Sequence, residues 1–167
     1  PEAGGGVVAH EMAAGGDAAT RAYRLLVVPA LSDNYMYVVL PTAAAARGRA
    51  VAIDVADADR LAAVLARERV HALDAVLSTH YHSDHSGGNA ATAARFGPSL
   101  PVIVGARDAS RAPAATRGVR DGDVLAFSGG LRFEVVATPC HTRGHVAYVL
   151  TAAGAGAGAA DGGAADG

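Results

Sequence analysis

An α/β domain is the fold class that the chain predicts, and three observations carry the prediction. Short apolar runs of strand length, residues 50–54 and 73–78, flank a stretch, residues 59–69, whose apolar side chains recur at helical spacing. A chain of 167 residues that is 51% hydrophobic can bury one core, although much of that fraction is alanine, which buries little area. The densest group of ionisable residues follows an apolar strand directly, at the C-terminal end where α/β folds place their sites.

Residues 1–21 are rich in Gly and Ala, lack a period, and are expected to be a disordered lead. The domain is expected over residues 22–151. Residues 23–28 and 35–40 read as two strands joined across Ser32-Asp33-Asn34. Residues 50–54 form a third strand that ends in Asp54. Over residues 59–69, Leu61, Val64 and Leu65 make an apolar stripe at i, i+3, i+4, and Asp57 or Asp59 caps the helix. Residues 73–78 are a short apolar strand, residues 89–96 a helix opened by Gly87-Gly88, and residues 102–104 a buried strand. Residues 124–127 and 131–137 predict a hairpin across Ser128-Gly129-Gly130. Its second arm alternates, with Leu131, Phe133 and Val135 on one side and Arg132 and Glu134 on the other. Residues 146–151 are the last strand. Residues 152–167 contain only Ala, Gly and Asp and are expected to be a disordered tail.

Composition excludes several classes. With 14 Lys+Arg against 16 Asp+Glu, a net charge of −2 and no basic block, nothing draws the chain to nucleic acid. No apolar run approaches the roughly 18–20 residues of a membrane span. Cys140 is the only cysteine, so no intrachain disulfide forms, which fits a reducing compartment. The N-terminus lacks the pattern of a secretory signal and begins with Pro rather than Met. A cytoplasmic location is expected, with mitochondrion and plastid left open because a chain that begins with Pro is expected to be either processed or a fragment. Oligomeric state is open.

The chemistry lies in Thr79-His80-Tyr81-His82-Ser83-Asp84-His85, which puts three histidines and one aspartate within six residues. Imidazole and carboxylate suit a borderline cation such as Zn²⁺. His80 and His82 are two apart, and in an extended segment they point the same way and can converge on one cation. Asp84 and His85 follow after a turn and can aim at a second position nearby. Metals about 3.5–4 Å apart activate water and clamp an oxyanion. His141, at the end of another strand, can complete a three-histidine set with His80 and His82. Asp54 either holds a ligand imidazole or serves as a turn or capping residue. His145 is expected to be structural, bonding to backbone near the ligand loop, and Cys140 to be a small buried residue. Tyr81 and Ser83 pack behind or line the pocket, and Tyr148 belongs to the core. His10 and His71 are given no role.

The cluster resembles the His-x-His-x-Asp-His signature of the metallo-β-lactamase fold, and within that superfamily the chain resembles glyoxalase II, the hydroxyacylglutathione hydrolase. Pro29-Ala30-Leu31-Ser32-Asp33-Asn34-Tyr35-Met36-Tyr37 is similar to that family's first hairpin. Gly87-Gly88-Asn89 follows the signature as it does there, and Ala137-Thr138-Pro139-Cys140-His141-Thr142-Arg143-Gly144-His145 is similar to its second ligand loop. The resemblance implies an αββα sandwich, present mainly as its first αβ half. It implies two divalent metals, zinc foremost with iron or manganese as alternatives. His80, His82 and His141 would bind the first, and Asp84 and His85 the second. A metal-bound hydroxide, held with the help of Asp84, would attack the thioester of an S-(2-hydroxyacyl)glutathione such as S-lactoylglutathione. The products would be a 2-hydroxy acid and glutathione, the chemistry of methylglyoxal detoxification.

The chain departs from the family after Leu150. The bridging aspartate at the end of an apolar strand, a later histidine and the helical domain that forms much of the glutathione site have no counterpart. Asp161 and Asp166 lie in Ala/Gly sequence with no strand to hold them, so neither is expected to ligate. The chain is therefore expected to be the N-terminal part of a longer enzyme, with an incomplete second metal site, little activity by itself and one sheet face or edge uncovered. The alternatives are a mono-iron oxidoreductase of the persulfide dioxygenase type and a non-catalytic truncated product. A metallo-β-lactamase proper fits the hairpin and second loop less well.

Overall fold

The computed structural model describes residues 8–10 and 23–152. β1 (Val8–His10) pairs antiparallel with β2 (Tyr23–Ala30), which pairs with β3 (Asn34–Pro41) from Tyr23 opposite Pro41 to Ala30 opposite Asn34. β1 corrects the expectation of a structureless lead. Three residues carry no readable period, and only the waiting edge of β2 makes them a strand. The other lead residues, 1–7 and 11–21, and residues 153–167 of the expected tail lie outside the described residues.

β4 (Arg49–Ile53) continues antiparallel to β3, and the sheet then turns parallel through β5 (Ala72–Ser78), β6 (Val102–Gly105) and β7 (Arg117–Val119). The seven strands lie in chain order. β7 was not predicted, since Arg117-Gly118-Val119 has no apolar run and only its pairing with β6 makes it a strand. α1 (Ala58–Arg67) is capped by Asp57, whose carboxylate accepts the N–H groups of Asp59 and Arg60 at 3.0 and 2.9 Å. The helix starts one residue before the predicted stretch and stops two short of it, and Arg69 then turns left-handed at φ 58°. The one-turn α2 (Ser83–Ser86) and α3 (Asn89–Phe96) follow β5. β8 (Val124–Ala126), β9 (Leu131–Ala137) and β10 (Val146–Ala152) form a separate antiparallel sheet in the order β10-β9-β8. The link between β8 and β9 is a 3-10 turn rather than a bare loop. Gly129 sits there at φ 70°, where an added Cβ would lie 2.4 Å from that of Pro41.

Strand alternation gives the large sheet two buried faces. One face, with Leu26, Val28, Met36, Val38 and Val76, packs under Leu61, Val64 and Leu65 of α1 and the partly buried Phe96 of α3. The other, with Val39, Val51, Ala75, Leu77 and Ile103, meets Leu125, Leu131, Phe133, Val135 and Val146 of the second sheet. Burying each such large side chain stabilises the fold by about 1.5–3 kcal/mol. The layers are helix, sheet, sheet. The outer face of the second sheet is open, with Val124 48%, Val136 37% and Val149 46% exposed, as expected for an αββα sandwich present as a partial domain. No helix among the described residues is long and apolar enough to cross a membrane.

Candidate metal centre

The site forms where β4, β5 and β6 end and where the loop between β9 and β10 folds over them. Asp54 follows β4, is 4% exposed and holds φ 53°, a left-handed conformation that Asp tolerates better than most residues. That twist aims its carboxylate at Thr79. The Thr79 N–H donates to Asp54 Oδ1 at 2.7 Å, and the Thr79 hydroxyl lies 3.1 and 3.0 Å from the two carboxylate oxygens. A hydroxyl has one proton, and the acceptor-only carboxylate takes it. Thr79 Oγ1 must then accept from His80 Nδ1, 3.0 Å away. This assigns the tautomer of His80 and turns its Nε2 lone pair into the site. That Nε2 is buried and has no hydrogen-bond partner. A donor nitrogen left bare in a buried place is what a metal ligand requires, whereas an ordinary core histidine would be satisfied.

His82 and His141 face the same point. His82 Nδ1 is 2.9 Å from His141 Nε2, and the His80 ring lies 4.8 Å, centroid to centroid, from each of the other two. One nitrogen from each residue falls within 4.8 Å of the others, a set able to hold a single metal ion. His80 and His82 lie close together, but in a bend beyond β5 rather than in an extended strand, so strand alternation is not what brings them together. Burial pushes His80 down to about 4, with the neighbouring imidazoles adding to it, so it stays neutral and able to ligate.

A second pair of donors lies alongside. His85 Nδ1 donates to Asp54 Oδ2 at 3.0 Å, leaving Nε2 turned to Asp84 Oδ2 at 3.3 Å, and its ring is 4.3 Å from that of His80. The hydrogen bond to Asp54 raises the His85 imidazole above its ordinary value, against the opposing effect of burial and with help from both carboxylate charges. Burial alone would push Asp84 up. Its own backbone N–H, His85 and Asn34 outweigh that and hold the carboxyl low. Asn34, the first residue of β3, donates its amide to the Asp84 carbonyl at 2.7 Å and to Oδ2 at 3.0 Å. This is the physical content of the Asp33-Asn34-Tyr35 hairpin: it pins the start of α2.

The loop carrying His141 is anchored by a residue that the sequence reading missed. Asp108, 2% exposed, accepts the Thr142 hydroxyl at 2.6 Å and the Gly144 N–H at 3.1 Å. A Cβ on Gly144 would lie 2.5 Å from Asp108, so the loop needs glycine there. Nothing near Gly105-Ala106-Arg107-Asp108 marks this role, because both partners lie more than thirty residues away. Asp108→Ala should destabilise the chelated protein by about 2–4 kcal/mol, because two buried donors lose their acceptor. It should also weaken metal binding by about 10–100-fold. Urea unfolding with chelator, followed by metal titration, checks both.

Asp54 thus bonds to Thr79 and His85 rather than capping a helix. His145 departs from expectation in its partner: its ring bonds to the Thr138 hydroxyl at 2.7 Å rather than to backbone, and lies 5.0 Å from that of His80. Cys140 is exposed, not buried, because its loop runs along the surface. Tyr81 stands edge-on to His82, and the Arg111 guanidinium stacks over the Tyr81 ring, 3.6 Å from its centroid. Tyr148 is partly buried, and its hydroxyl donates to the Ser78 carbonyl at 3.0 Å, with the Ile103 carbonyl 3.3 Å away.

These shifts predict a pH profile for the chelated protein. His80 and His145, held low mainly by burial, favour folding fully above their unfolded value of 6.5, and that stability is lost as pH falls. His85, held high, contributes stability below 6.5 that is lost as pH rises through its folded value. Denaturant titrations from pH 4 upward should place the maximum near pH 6.5.

Residues 45–157 match the Metallo-beta-lactamase superfamily model. The chain belongs to the metallo-beta-lactamase superfamily. Among superfamily relatives, it is 44% identical over 128 residues to the hydroxyacylglutathione hydrolase-like protein of Bos taurus, an overlap of 76% of this chain and 61% of that protein. It is 38% identical over 125 residues to a hydroxyacylglutathione hydrolase of Synechococcus, covering 75% of this chain and 46% of the other. Over that span it is glyoxalase II-like. The chain therefore covers roughly half the length of these relatives. The crystal structure of the BLEG-1 B3 metallo-beta-lactamase superposes with TM-score 0.62 at 26% identity, over 74% of this chain and 66% of that one. BJP-1, a subclass B3 metallo-beta-lactamase of Bradyrhizobium japonicum, superposes with TM-score 0.63 at 20% identity, over 77% and 54%, which is a likeness of fold.

Proposed function

We propose that the protein is a metal-dependent thioester hydrolase that converts an S-(2-hydroxyacyl)glutathione, such as S-lactoylglutathione, and water to a 2-hydroxy acid and glutathione. The observation that carries this reading is the adjacency of two donor sets, His80 with His82 and His141, and Asp84 with His85. Their setting is a chain 44% identical over 128 residues to a hydroxyacylglutathione hydrolase-like protein. In this reading His80 Nε2, His82 Nδ1 and His141 Nε2 hold one divalent cation, zinc foremost, with iron or manganese as alternatives. Asp84 and His85 contribute to a second.

Bound there, the cations supply an acidified water and positive charge for the oxyanion of the thioester carbonyl. The chain's own residues orient these donors. Asp54 and Thr79 set the tautomers of His80 and His85, and Asn34 steers Asp84 toward the reacting position. The thiol leaving group is acidic enough to depart with little protonation. The free, exposed Cys140 thiol suits a reducing compartment, and we place the protein in the cytoplasm.

Metal analysis of the protein loaded in turn with zinc, manganese and iron, together with thiol release from S-lactoylglutathione, tests the proposal. Thiol release that disappears with chelator and returns with metal supports it. Oxygen uptake with glutathione persulfide on a single iron would replace it with the oxidoreductase reading. A chain that binds no metal would be non-catalytic.

A further inference from the structure

A cavity of about 330 Å³ lies beside the donor sets, and its walls come from three separate connections. Arg107 stands after β6, Arg120 after β7, and Arg143 in the ligand loop between His141 and His145. His145 is a shared wall: it lines this cavity, and its ring is 5.0 Å from the ring of His80. The volume equals roughly ten waters at their liquid share, room for a small peptide arm.

The charge in this cavity is unbalanced. Arg24, Arg49, Arg67 and Arg95 each pair with a carboxylate. Among the described residues the guanidiniums of Arg107, Arg120 and Arg143 make no ion pair or side-chain hydrogen bond. Asp121 is the one carboxylate among the lining residues, and its Oδ1 already accepts the Ala137 N–H at 2.7 Å. Three exposed arginines line one concave surface with a single acid among its walls. Like charges repel, and this chain carries no overall positive charge that would scatter arginines there by chance. A planar guanidinium fork matches a carboxylate with two parallel hydrogen bonds.

We propose that this cavity is a subsite for a carboxylate-bearing arm of the substrate, held by Arg107, Arg120 and Arg143 while the reacting group sits at the donor sets past His145. The identity of the arm as the peptide portion of a glutathione thioester rests on the function proposed above. The anion preference of the cavity does not.

The test is calorimetry on the zinc-loaded protein with a non-hydrolysable S-alkylglutathione, its dimethyl ester, succinate and inorganic phosphate as probes. Arg120→Ala and Arg143→Ala are the variants, and Arg132→Ala, on the open face of the second sheet, is the control. Each cavity variant should weaken S-alkylglutathione by roughly tenfold, the loss of a charged hydrogen bond, while the control leaves it unchanged. The dimethyl ester should bind as weakly as the variants do and be insensitive to them. Equal binding of acid and ester, or cavity variants indistinguishable from Arg132→Ala, overturns the subsite. Arginine-dependent binding of succinate with none of S-alkylglutathione upholds the carboxylate subsite and removes the glutathione reading. Arginine-dependent binding of phosphate in preference to both carboxylates overturns the carboxylate assignment. Unfolding midpoints of the variants in chelator, expected to match wild type, separate a binding loss from misfolding.

Discussion

His80→Ala should abolish metal binding at the three-histidine set while hardly changing the chelated protein at neutral pH. Its Nε2 is the buried nitrogen without a partner, and it faces the nitrogens of His82 and His141. Changes to groups behind a ligand cost about 10–100-fold in metal affinity, so removing the ligand itself should cost more than about 100-fold. Without metal, the bare nitrogen is a liability of about 1–3 kcal/mol, which offsets the packing lost with the ring. The net change at pH 7 should therefore stay within about 1 kcal/mol. Two further signatures follow. Metal at a hundredfold excess over its dissociation constant stabilises the wild type by about 2.7 kcal/mol, and the variant should show none of this. The acid limb of the stability profile below pH 6.5 should also flatten, because the group held at about 4 is gone. A variant that still binds zinc at wild-type affinity would remove His80 from the ligand set.

Asp54→Ala should be the most destabilising single change at the site. This carboxylate accepts the Thr79 N–H, the Thr79 hydroxyl and the His85 imidazole, and it is 4% exposed. Removing it leaves buried donors without an acceptor, a loss of about 3–5 kcal/mol. Alanine at φ 53° adds about 1–2 kcal/mol of backbone strain. Asp54→Asn separates the two effects. Asparagine tolerates the left-handed conformation and retains one acceptor oxygen, so stability should recover by about half. Metal affinity should still fall by about 10–100-fold, because His85 and Thr79 lose the charge that orients them. Denaturant unfolding and zinc titration of both variants check this. An Asp54→Ala protein that loses less than about 1 kcal/mol would mean that Thr79 and His85 find other acceptors.

Much of the fold was legible because its signals are local. The stripe of Leu61, Val64 and Leu65 marked α1, and the alternation from Leu131 to Val135 marked β9, since helical and strand periods differ within a few residues. β1 and β7 were not legible. Three residues each carry too short a pattern, and both exist as strands because a neighbour offers an unpaired edge. The cluster from His80 to His85 announced itself by density. Asp108 did not, because its bonds to Thr142 and Gly144 join segments far apart in the chain. Cys140 was misjudged for a related reason: a small apolar residue beside a ligand looks buried until the path of its loop is known.

The sequence by itself determined the chemistry available to this protein. Imidazole and carboxylate donors at close spacing select a metal, and short-range periodicity selects the strands and helices that carry them. The tertiary structure alone decided which atoms present that chemistry. The left-handed turn at Asp54 reaches across to Thr79, Thr79 sets the proton on His80, and the loop held by Asp108 brings His141 to within 2.9 Å of His82. The physical reason is range. Side-chain identity and periodicity are written over a few residues, whereas tautomers, lone-pair directions and unbalanced charges such as those of Arg107, Arg120 and Arg143 depend on packing between segments that the chain order does not bring together.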